Sequence, residues 1–564
     1  MKNEISKLSY KQIFLLLCLF WFVINIIQAL VMDVISDESY YGLYGKYLDW
    51  GYFDHPPMVA LWVAISSFLF KGNLSIRFLT VLMQPLTLFF VWKTIDHENP
   101  TIKEVVTFFI ISASIVMFAA YGFITTPDSP LLLFTALFLF AYKRFLNKED
   151  LTAMALLMIA MAGMVYSKYQ AVLVIGFTVL SNIKLLKNPK FWFAGVMALV
   201  LLVPHFLWQV NNDFPSFQYH LVGRSSSFKI KYLLEYLPNE LCVFNPVVLV
   251  LVVYLLFKNK PVDSFEKTLY WQIIRFLAFF GLMTFRGHVE PHWTIACSIP
   301  MIILLSKKCS EDYKFCSIAR RYLLYTIGLL MVVRVFLCIN SPITRRIGYC
   351  GNGQKNKAIE QVAGDVPVVF ATSFQKPSLY MFFTGKEATT ISSFNSRRTQ
   401  FDIWQFEEKY YDQRVFVYGD YGEKSNSYGT GYTAFQGFFA DNLQTVNRIR
   451  IEYGDISPEI AVGSEVTLPY TIYNTYDHEI DFNHPTFPVK MEAVITPGKK
   501  VCYYIPVDND IDLNVLGKGE KVSGKLRFWV PDIPSGKYNF GLTLNTLFGA
   551  AFNSDMVRIV VDND

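Results

Sequence analysis

Charged residues are scarce in this chain. Only 17% of its 564 residues are Asp, Glu, Lys or Arg, whereas 53% are hydrophobic and 16% are aromatic. Soluble proteins carry about 25% charged residues, so this composition excludes a soluble protein and predicts an integral membrane protein. The apolar excess lies before about residue 340. The remainder is richer in Gly, Asn, Asp and Thr, which is typical of a water-soluble region.

Cysteine is also sparse, and no pair of the eight cysteines has the spacing of a zinc finger. Several lie in or beside hydrophobic segments, where a thiol behaves as a small apolar group. Cys350 and Cys502 both fall in the polar region. Their pairing in an oxidising compartment stays open, because nothing in the sequence brings the two together.

The net charge of +5 does not indicate a nucleic-acid partner, because most Lys and Arg residues fall in short loops between hydrophobic segments. The first segment, Ile13 to Met32, is too long for a secretory signal and lacks a small-x-small cleavage site, which predicts an uncleaved anchor. Eleven spans are predicted, at about 12–32, 77–95, 104–122, 129–142, 151–166, 169–183, 191–209, 241–257, 268–285, 291–305 and 322–339.

The positive-inside rule orients these spans. With the amino terminus inside, the inner loops collect most of the Lys and Arg residues, and an odd number of spans places the carboxyl-terminal region outside. Residues 56–70 are apolar but short, and counting them as a span would scatter the positive charge, so we predict an interfacial or re-entrant helix there. In this orientation the unusual polar residues share the outer face: Asp37, Glu38, Asp54, His55, Asp128, Lys168, Arg224, Arg286, His288, Glu290 and His292.

The first outer loop has a recognisable pattern. Its sequence, DESYYGLYGKYLDWGYFDHPP at 37–57, resembles the corresponding loop of the protein O-mannosyltransferase and aminoarabinose transferase superfamily, which are GT-C membrane glycosyltransferases. The resemblance implies a multi-pass α-helical fold with interfacial helices. It also implies transfer of a sugar from a polyprenyl-phosphate donor, with no required cofactor.

Such a transfer needs a base that takes the acceptor proton, whereas a lipid phosphate leaves as an anion and needs no general acid. Asp37 matches the aspartate of the family motif and is the predicted base, which would act by direct displacement with inversion; Glu38 is predicted to support it. The alternative is structural, since Asp37 also suits the first turn of a helix.

Further loop residues are predicted to bind substrate. Asp54 and His55 either turn the chain or line the pocket. Asp128 lies in a Thr-Pro-Asp segment like that of the family and is also an ordinary turn residue. Lys168 occupies a place where related enzymes carry a lysine near the pocket. An ion pair between Asp128 and Lys168 is predicted, although a lone lysine also snorkels to the interface.

The segment 285–293 is the densest polar cluster in a short outer loop. Arg286 and His292 are predicted to bind phosphate, with Arg224 as a second cation. His288, Glu290 and His292 alternate and are weak candidates for metal ligands. Pro291 interrupts the run and no fourth ligand is evident, so no metal is predicted.

Three regions follow: a membrane domain at 1–340, an external α/β domain at 341–447 and an Ig-like β-sandwich at 448–564, where apolar residues recur with a period of two. The leading hypothesis is a glycosyltransferase of the bacterial inner membrane with a periplasmic carboxyl-terminal region. The acceptor, whether glycan, lipid or protein, stays open. The alternatives are a transporter or lipid flippase, and a polysaccharide-assembly scaffold without enzymatic activity.

Overall fold

The computed structural model describes residues 8–223, 228–498 and 501–562. The chain divides into two compact units, Met1–Asn352 and Gly353–Asp564. The first is helical and the second contains the strands.

The helices of the first unit are α1 (Tyr10–Val31), α2 (Ser36–Lys46), α3 (Met58–Leu69), α4 (Leu74–Ile95), α5 (Ile102–Ser114), α6 (Val116–Ala120), α7 (Asp128–Asn147), α8 (Leu151–Ser167), α9 (Ala171–Ser181), α10 (Pro189–Asn211), α11 (Pro215–Phe217), α12 (Ile230–Phe244), α13 (Pro246–Lys258), α14 (Ser264–Met283), α15 (Ser298–Glu311), α16 (Tyr313–Leu337) and α17 (Pro342–Arg346), while α18 (Asn352–Ala363) leads into the second unit. Each of the eleven segments predicted to span the membrane contains helix.

By length and composition, five described helices are able to cross a membrane: α1, α4, α7, α10 and α16. A sixth span results if α12 and α13, which bend by 100° at their junction, cross together. The protein is thus a multi-pass membrane protein, and the count of eleven spans stays a prediction. The α3 helix has 12 residues, about 18 Å at 1.5 Å per residue, so it is too short to cross the hydrocarbon core alone.

Local sequence explains where these helices start. Thr101 and Glu104 form a capping box before α5, Asp150 caps α8, and Asn188 caps α10 with Pro189 at its first position. Apolar side chains of α1, α4, α5, α7, α8, α14 and α15 form one buried cluster. The loops that carry the polar motifs begin or end at these helices.

The second unit begins with a five-stranded sheet. Its strands are β1 (Val368–Phe370), β2 (Ala388–Thr390), β3 (Val415–Tyr418), β4 (Asn426–Tyr428) and β5 (Phe435–Ala440), in the order β2-β1-β3-β5-β4. Strand β1 is parallel to β2 and β3, and two helices, α19 (Gln375–Thr384) and α20 (Gln400–Trp404), lie between strands in the chain. Helices and strands therefore alternate in this segment, as the α/β prediction requires.

The later strands are β6 (Arg450–Tyr453), β7 (Glu459–Ala461), β8 (Glu465–Tyr473), β9 (Ile480–Asp481), β10 (Lys490–Gly498), β11 (Val501–Pro506), β12 (Asp508–Asn509), β13 (Val515–Leu516), β14 (Lys521–Trp529), β15 (Gly536–Thr546), β16 (Gly549–Ala550) and β17 (Val557–Asp562). One sheet has the order β11-β10-β15-β17-β7, with β16 paired to β15, and another has the order β12-β14-β8-β6. Alternate residues of both sheets share one hydrophobic cluster, as a sandwich requires. The Ig-like assignment and the three domain boundaries stay predictions.

A buried acid makes the second unit sensitive to pH. Burial, and then the neighbouring Asp402 and Glu408 carboxylates, raise the pKa of Glu407 to about 8. In the unfolded chain the pKa of a glutamate is about 4.3. Between this pH and the folded-state pKa of about 8, the folded protein keeps a proton that the unfolded chain has lost. Stability therefore falls as the pH rises from about 4.3 to about 8, by at most about 1.4 kcal/mol per pH unit from this group.

We expect Glu407→Gln to flatten this fall, because the neutral amide has no charge to bury. The measurement is thermal unfolding of the detergent-solubilised full chain at pH 5, 6.5 and 8, with Glu423→Gln at an exposed position as the control. A variant that loses stability with pH as steeply as the wild type would contradict the assignment.

Candidate active site

Asp37 lies in the first turn of α2, which follows α1 after a short connection, and its side chain is exposed. A carboxylate at this position interacts favourably with the helix dipole. Asp37 is four residues before Tyr41, so the two side chains lie on the same face of α2. The position suits both predictions made for Asp37, a helix-end acid and an accessible base.

Glu38, the next residue, is fully buried and pairs with the equally buried Arg77 of α4. Its Oε1 accepts from Arg77 Nε at 2.7 Å and from the Thr125 backbone N–H at 2.9 Å. Its Oε2 accepts from the Ile35 N–H at 3.3 Å and from Arg77 Nη2. Glu38 therefore joins the start of α2, the first turn of α4 and the turn before α7.

The same guanidinium also closes the end of α1. Arg77 Nη1 donates to the carbonyls of Ala29 and Met32 at 3.1 and 2.6 Å, and Nη2 donates to the Asp33 carbonyl at 2.8 Å. These are backbone acceptors that a helix end leaves unpaired. Because all three guanidinium nitrogens of Arg77 donate within the protein, this arginine supports the site and is not a free phosphate ligand.

The second motif of the first loop is buried beneath α2. The Tyr44 hydroxyl donates to Asp54 Oδ1 at 2.7 Å, and the Tyr44 ring stacks on Tyr52 with centroids 3.9 Å apart. The His55 ring lies 5.7 Å from the Tyr41 ring, and His220 Nε2 is 2.9 Å from the Asp54 carbonyl. The Asp54 carboxylate is thus held by the Tyr44 hydroxyl, and the His55 ring lies beside the Tyr41 ring.

The predicted ion pair between Asp128 and Lys168 is confirmed. Lys168 Nζ lies 2.7 Å from Asp128 Oδ1, and both side chains are buried, with exposures of 4% for the lysine and 3% for the aspartate. Asp128 starts α7, and Lys168 caps the end of α8. The other carboxylate oxygen, Oδ2, is 4.0 Å from His292 Nε2. One aspartate therefore bridges two basic side chains from separate loops.

The Tyr41 side chain lies among the residues of the first loop. Its ring centroid is 5.7 Å from that of His55 and 5.7 Å from that of Tyr44, whose hydroxyl donates to Asp54. Burial raises the pKa of the Tyr41 hydroxyl well above its ordinary value, and acidic side chains, Asp37 first, raise this pKa further.

The remaining predicted residues, apart from Arg224, belong to the segment 285–293, which approaches Asp128 through His292. Arg286 is exposed, His288 Nε2 lies 3.7 Å from Glu290 Oε2, and His292 faces Asp128. Within residues 8–223, 228–498 and 501–562, no group of three His, Cys, Asp or Glu side chains is arranged to hold a metal ion. Arg224 lies outside the described residues.

Several site residues were missed in the sequence. Tyr41 was recoverable, because it follows Asp37 at helical spacing. Arg77 gave no distinguishing signal, because single Lys and Arg residues are common beside hydrophobic segments. A second network was also unforeseen: Trp208 Nε1 donates to Asp49 Oδ2 at 2.7 Å, and His205 Nδ1 lies 2.7 Å from the Trp50 carbonyl, so α10 packs on the first loop.

Together, the fold and the site describe a multi-pass membrane protein whose polar loop residues lie near the ends of its helices. Residues 54–208 match the family model described as dolichyl-phosphate-mannose-protein mannosyltransferase. The crystal structure of ArnT from Cupriavidus metallidurans in the apo state has the same fold. It aligns with a TM-score of 0.54 and 12% identity over 74% of this chain and 97% of ArnT.

ArnT bound to undecaprenyl phosphate aligns similarly, with a TM-score of 0.52 and 12% identity over 75% of this chain and 97% of that one. No curated protein matches the chain in sequence. The family match and the shared fold confirm the resemblance to the superfamily of protein O-mannosyltransferases and aminoarabinose transferases that the loop motifs indicated.

Removing one partner of the buried Glu38 and Arg77 pair leaves an uncompensated charge, so we expect Glu38→Gln and Arg77→Met each to lower the free energy of unfolding by about 3–5 kcal/mol. Thermal unfolding of the solubilised protein measures the change. The control is Glu235→Gln, which breaks an exposed pair with Lys231 on α12; an exposed pair contributes about 0–1 kcal/mol. Equal effects at both pairs would contradict the support role.

Lys168→Met should be strongly destabilising because it removes the cation that pairs with the buried Asp128 carboxylate. Adding Asp128→Asn removes that charge, so the double variant should regain a large part of the stability, with a coupling energy of about 0.5–3 kcal/mol. A double-mutant cycle on thermal unfolding gives the coupling. Additive losses would show that the two side chains do not interact.

Proposed function

We propose that this protein is a glycosyltransferase that moves a sugar from a polyprenyl-phosphate donor to an acceptor hydroxyl, on the periplasmic side of the bacterial inner membrane. The observation that carries the proposal is the buried pair of Asp128 and Lys168, with His292 near the second Asp128 oxygen. This pair is close to the turn that Glu38, the neighbour of the exposed Asp37, holds through the Thr125 N–H. The family match over residues 54–208 and the fold shared with ArnT support it.

In this mechanism Asp37 is the general base. Its carboxylate takes the proton of the acceptor hydroxyl while the oxygen attacks the anomeric carbon of the donor. The bond between that carbon and the phosphate oxygen breaks, and the lipid phosphate departs as an anion. A single displacement inverts the configuration at the anomeric carbon. Asp37 suits this role because its side chain is exposed, whereas Glu38 is buried and fully engaged.

Glu38 is a positioning residue in this proposal. It acts through its bonds to Arg77 and to the Thr125 backbone, which hold the starts of α2 and α7 in one arrangement. Asp54, His55 and Asp128 line the sugar pocket. Lys168 neutralises Asp128 and orients it.

The donor phosphate is assigned to cations of the predicted outer loops. Arg286 is exposed and able to bind a phosphate through two parallel N–H groups, with His292 and Arg224 as further candidates. Undecaprenyl phosphate, the lipid bound to ArnT in the second of its structures, belongs to the class of donor carrier that this assignment requires. The mechanism requires no cofactor, and the periplasmic placement rests on the positive-inside rule.

Two other functions make different demands on the same residues. A transporter or lipid flippase would use the buried charges as a pathway, and a polysaccharide-assembly scaffold would depend on the second unit. Neither needs a base on an accessible helix end. The effect of an Asp37 substitution therefore distinguishes the glycosyltransferase proposal from both alternatives.

We expect Asp37→Asn to lower kcat by a factor of about 10²–10⁴, the usual contribution of a general base, with little change in folding. The measurement is sugar transfer by the purified protein, supplied with a panel of polyprenyl-phosphate sugars and hydroxyl acceptors. Asp96→Asn is a matched control, because Asp96 is an exposed carboxylate directly after the carboxyl end of α4, whereas Arg77 lies in the first turn of that helix.

Two results would contradict the proposal. If Asp37→Asn turns over as fast as the wild type, Asp37 is not the base. If the wild type transfers no sugar from any donor but moves the labelled lipid across a vesicle bilayer, the flippase alternative is favoured.

A further inference from the structure

Two cysteines meet at the carboxyl end of α16. Cys338 is the residue that ends this helix, and Cys350 follows twelve residues later. The Cys350 Sγ lies 3.5 Å from the Leu337 carbonyl oxygen and 3.7 Å from the Ile339 carbonyl oxygen. These carbonyls belong to the two residues that flank Cys338. The Cys350 sulfur therefore packs against the backbone of Cys338.

The intervening chain is folded to produce this approach. Ser341 caps the short helix α17, and the Tyr349 N–H donates to the Thr344 carbonyl at 2.9 Å, which turns the chain back toward α16. The Cys338 sulfur is held from the other side, because Gln28 Nε2 of α1 lies 3.3 Å from it. Both sulfurs thus have fixed surroundings at the same helix end.

We propose that Cys338 and Cys350 form a disulfide in the mature protein. Bridges form where the backbone brings two cysteines within about 7 Å between Cα atoms. Both thiols are free in the structure, and the contacts of the Cys350 sulfur with the carbonyls on either side of Cys338 place it next to the backbone of its proposed partner. The proposal rests on the outward placement of this helix end in the proposed function, because thiols stay reduced in the cytosol.

The reaction is a thiol–disulfide exchange. The thiolate of one cysteine attacks a disulfide of an extracytoplasmic oxidoreductase, and the second thiolate then attacks the resulting mixed disulfide and displaces the oxidoreductase thiolate. Two S–H bonds are lost, one S–S bond forms, and the two electrons and two protons leave with the oxidoreductase as a dithiol.

This bridge would strengthen the support of the Asp37 helix. The Asp33 N–H donates to the Tyr349 carbonyl at 3.2 Å, the Asn352 N–H donates to Asp33 Oδ2 at 3.0 Å, and Asn352 Nδ2 donates to the Val34 carbonyl at 3.1 Å. Asp33 and Val34 lie just before α2. Linking Cys350 to α16 therefore anchors the segment on which the start of α2 rests.

Peptide mapping tests the disulfide directly. The full chain is expressed with its own membrane insertion, its free thiols are alkylated at harvest, and it is digested with trypsin without reductant. Cleavage after Arg334, Arg345, Arg346 and Lys355 places Cys338 in peptide 335–345 and Cys350 in peptide 347–355. We expect one linked species of these two peptides, which separates on reduction.

Cys350→Ser should release peptide 335–345 as an alkylated monomer, and Cys502→Ser should leave the linked species unchanged. Recovery of both peptides as alkylated free thiols, or of Cys350 linked to Cys502, would overturn the proposal. The readout is independent of sugar transfer. A mapped bridge in a protein that transfers no sugar would therefore leave this inference standing and count against the proposed function alone.

Discussion

The buried contact between Glu38 and Arg77 is the interaction on which the site depends. Neither side chain is exposed, and together they bond to the end of α1, the start of α2 and the turn before α7. A buried ion pair is costly to form, and its geometry is specific because every donor and acceptor must be satisfied. The exposed Asp37 can therefore occupy a defined place while it remains accessible.

The polar groups divide between support and chemistry. Glu38 and Arg77 are buried and bonded to neighbours within the protein, so they hold elements together. Asp37 and Arg286 are exposed and suited to contact substrates. Asp128 and Lys168 combine both features, since their pair is buried while His292 approaches the second oxygen of the aspartate. The proposed function requires a base for hydroxyl attack and cations for phosphate departure.

The two predicted roles of Asp37 are compatible in the structure. A carboxylate in the first turn of a helix is stabilised by the helix dipole, which favours its ionised form at neutral pH. An ionised carboxylate is the form that accepts a proton. The position that explains Asp37 structurally therefore also suits its proposed catalytic role, and sequence reasoning alone had no means of separating the two.

Composition and local pattern determined much about this protein: its membrane-spanning character, the helical segments and the alternating strands of the second unit. The tertiary structure decided which of these residues meet. Glu38 bonds to a residue 39 positions away and Asp128 to one 40 positions away. Hydrophobic periodicity records how each segment faces its surroundings, but such pairings depend on how helices pack against one another, which no local pattern encodes.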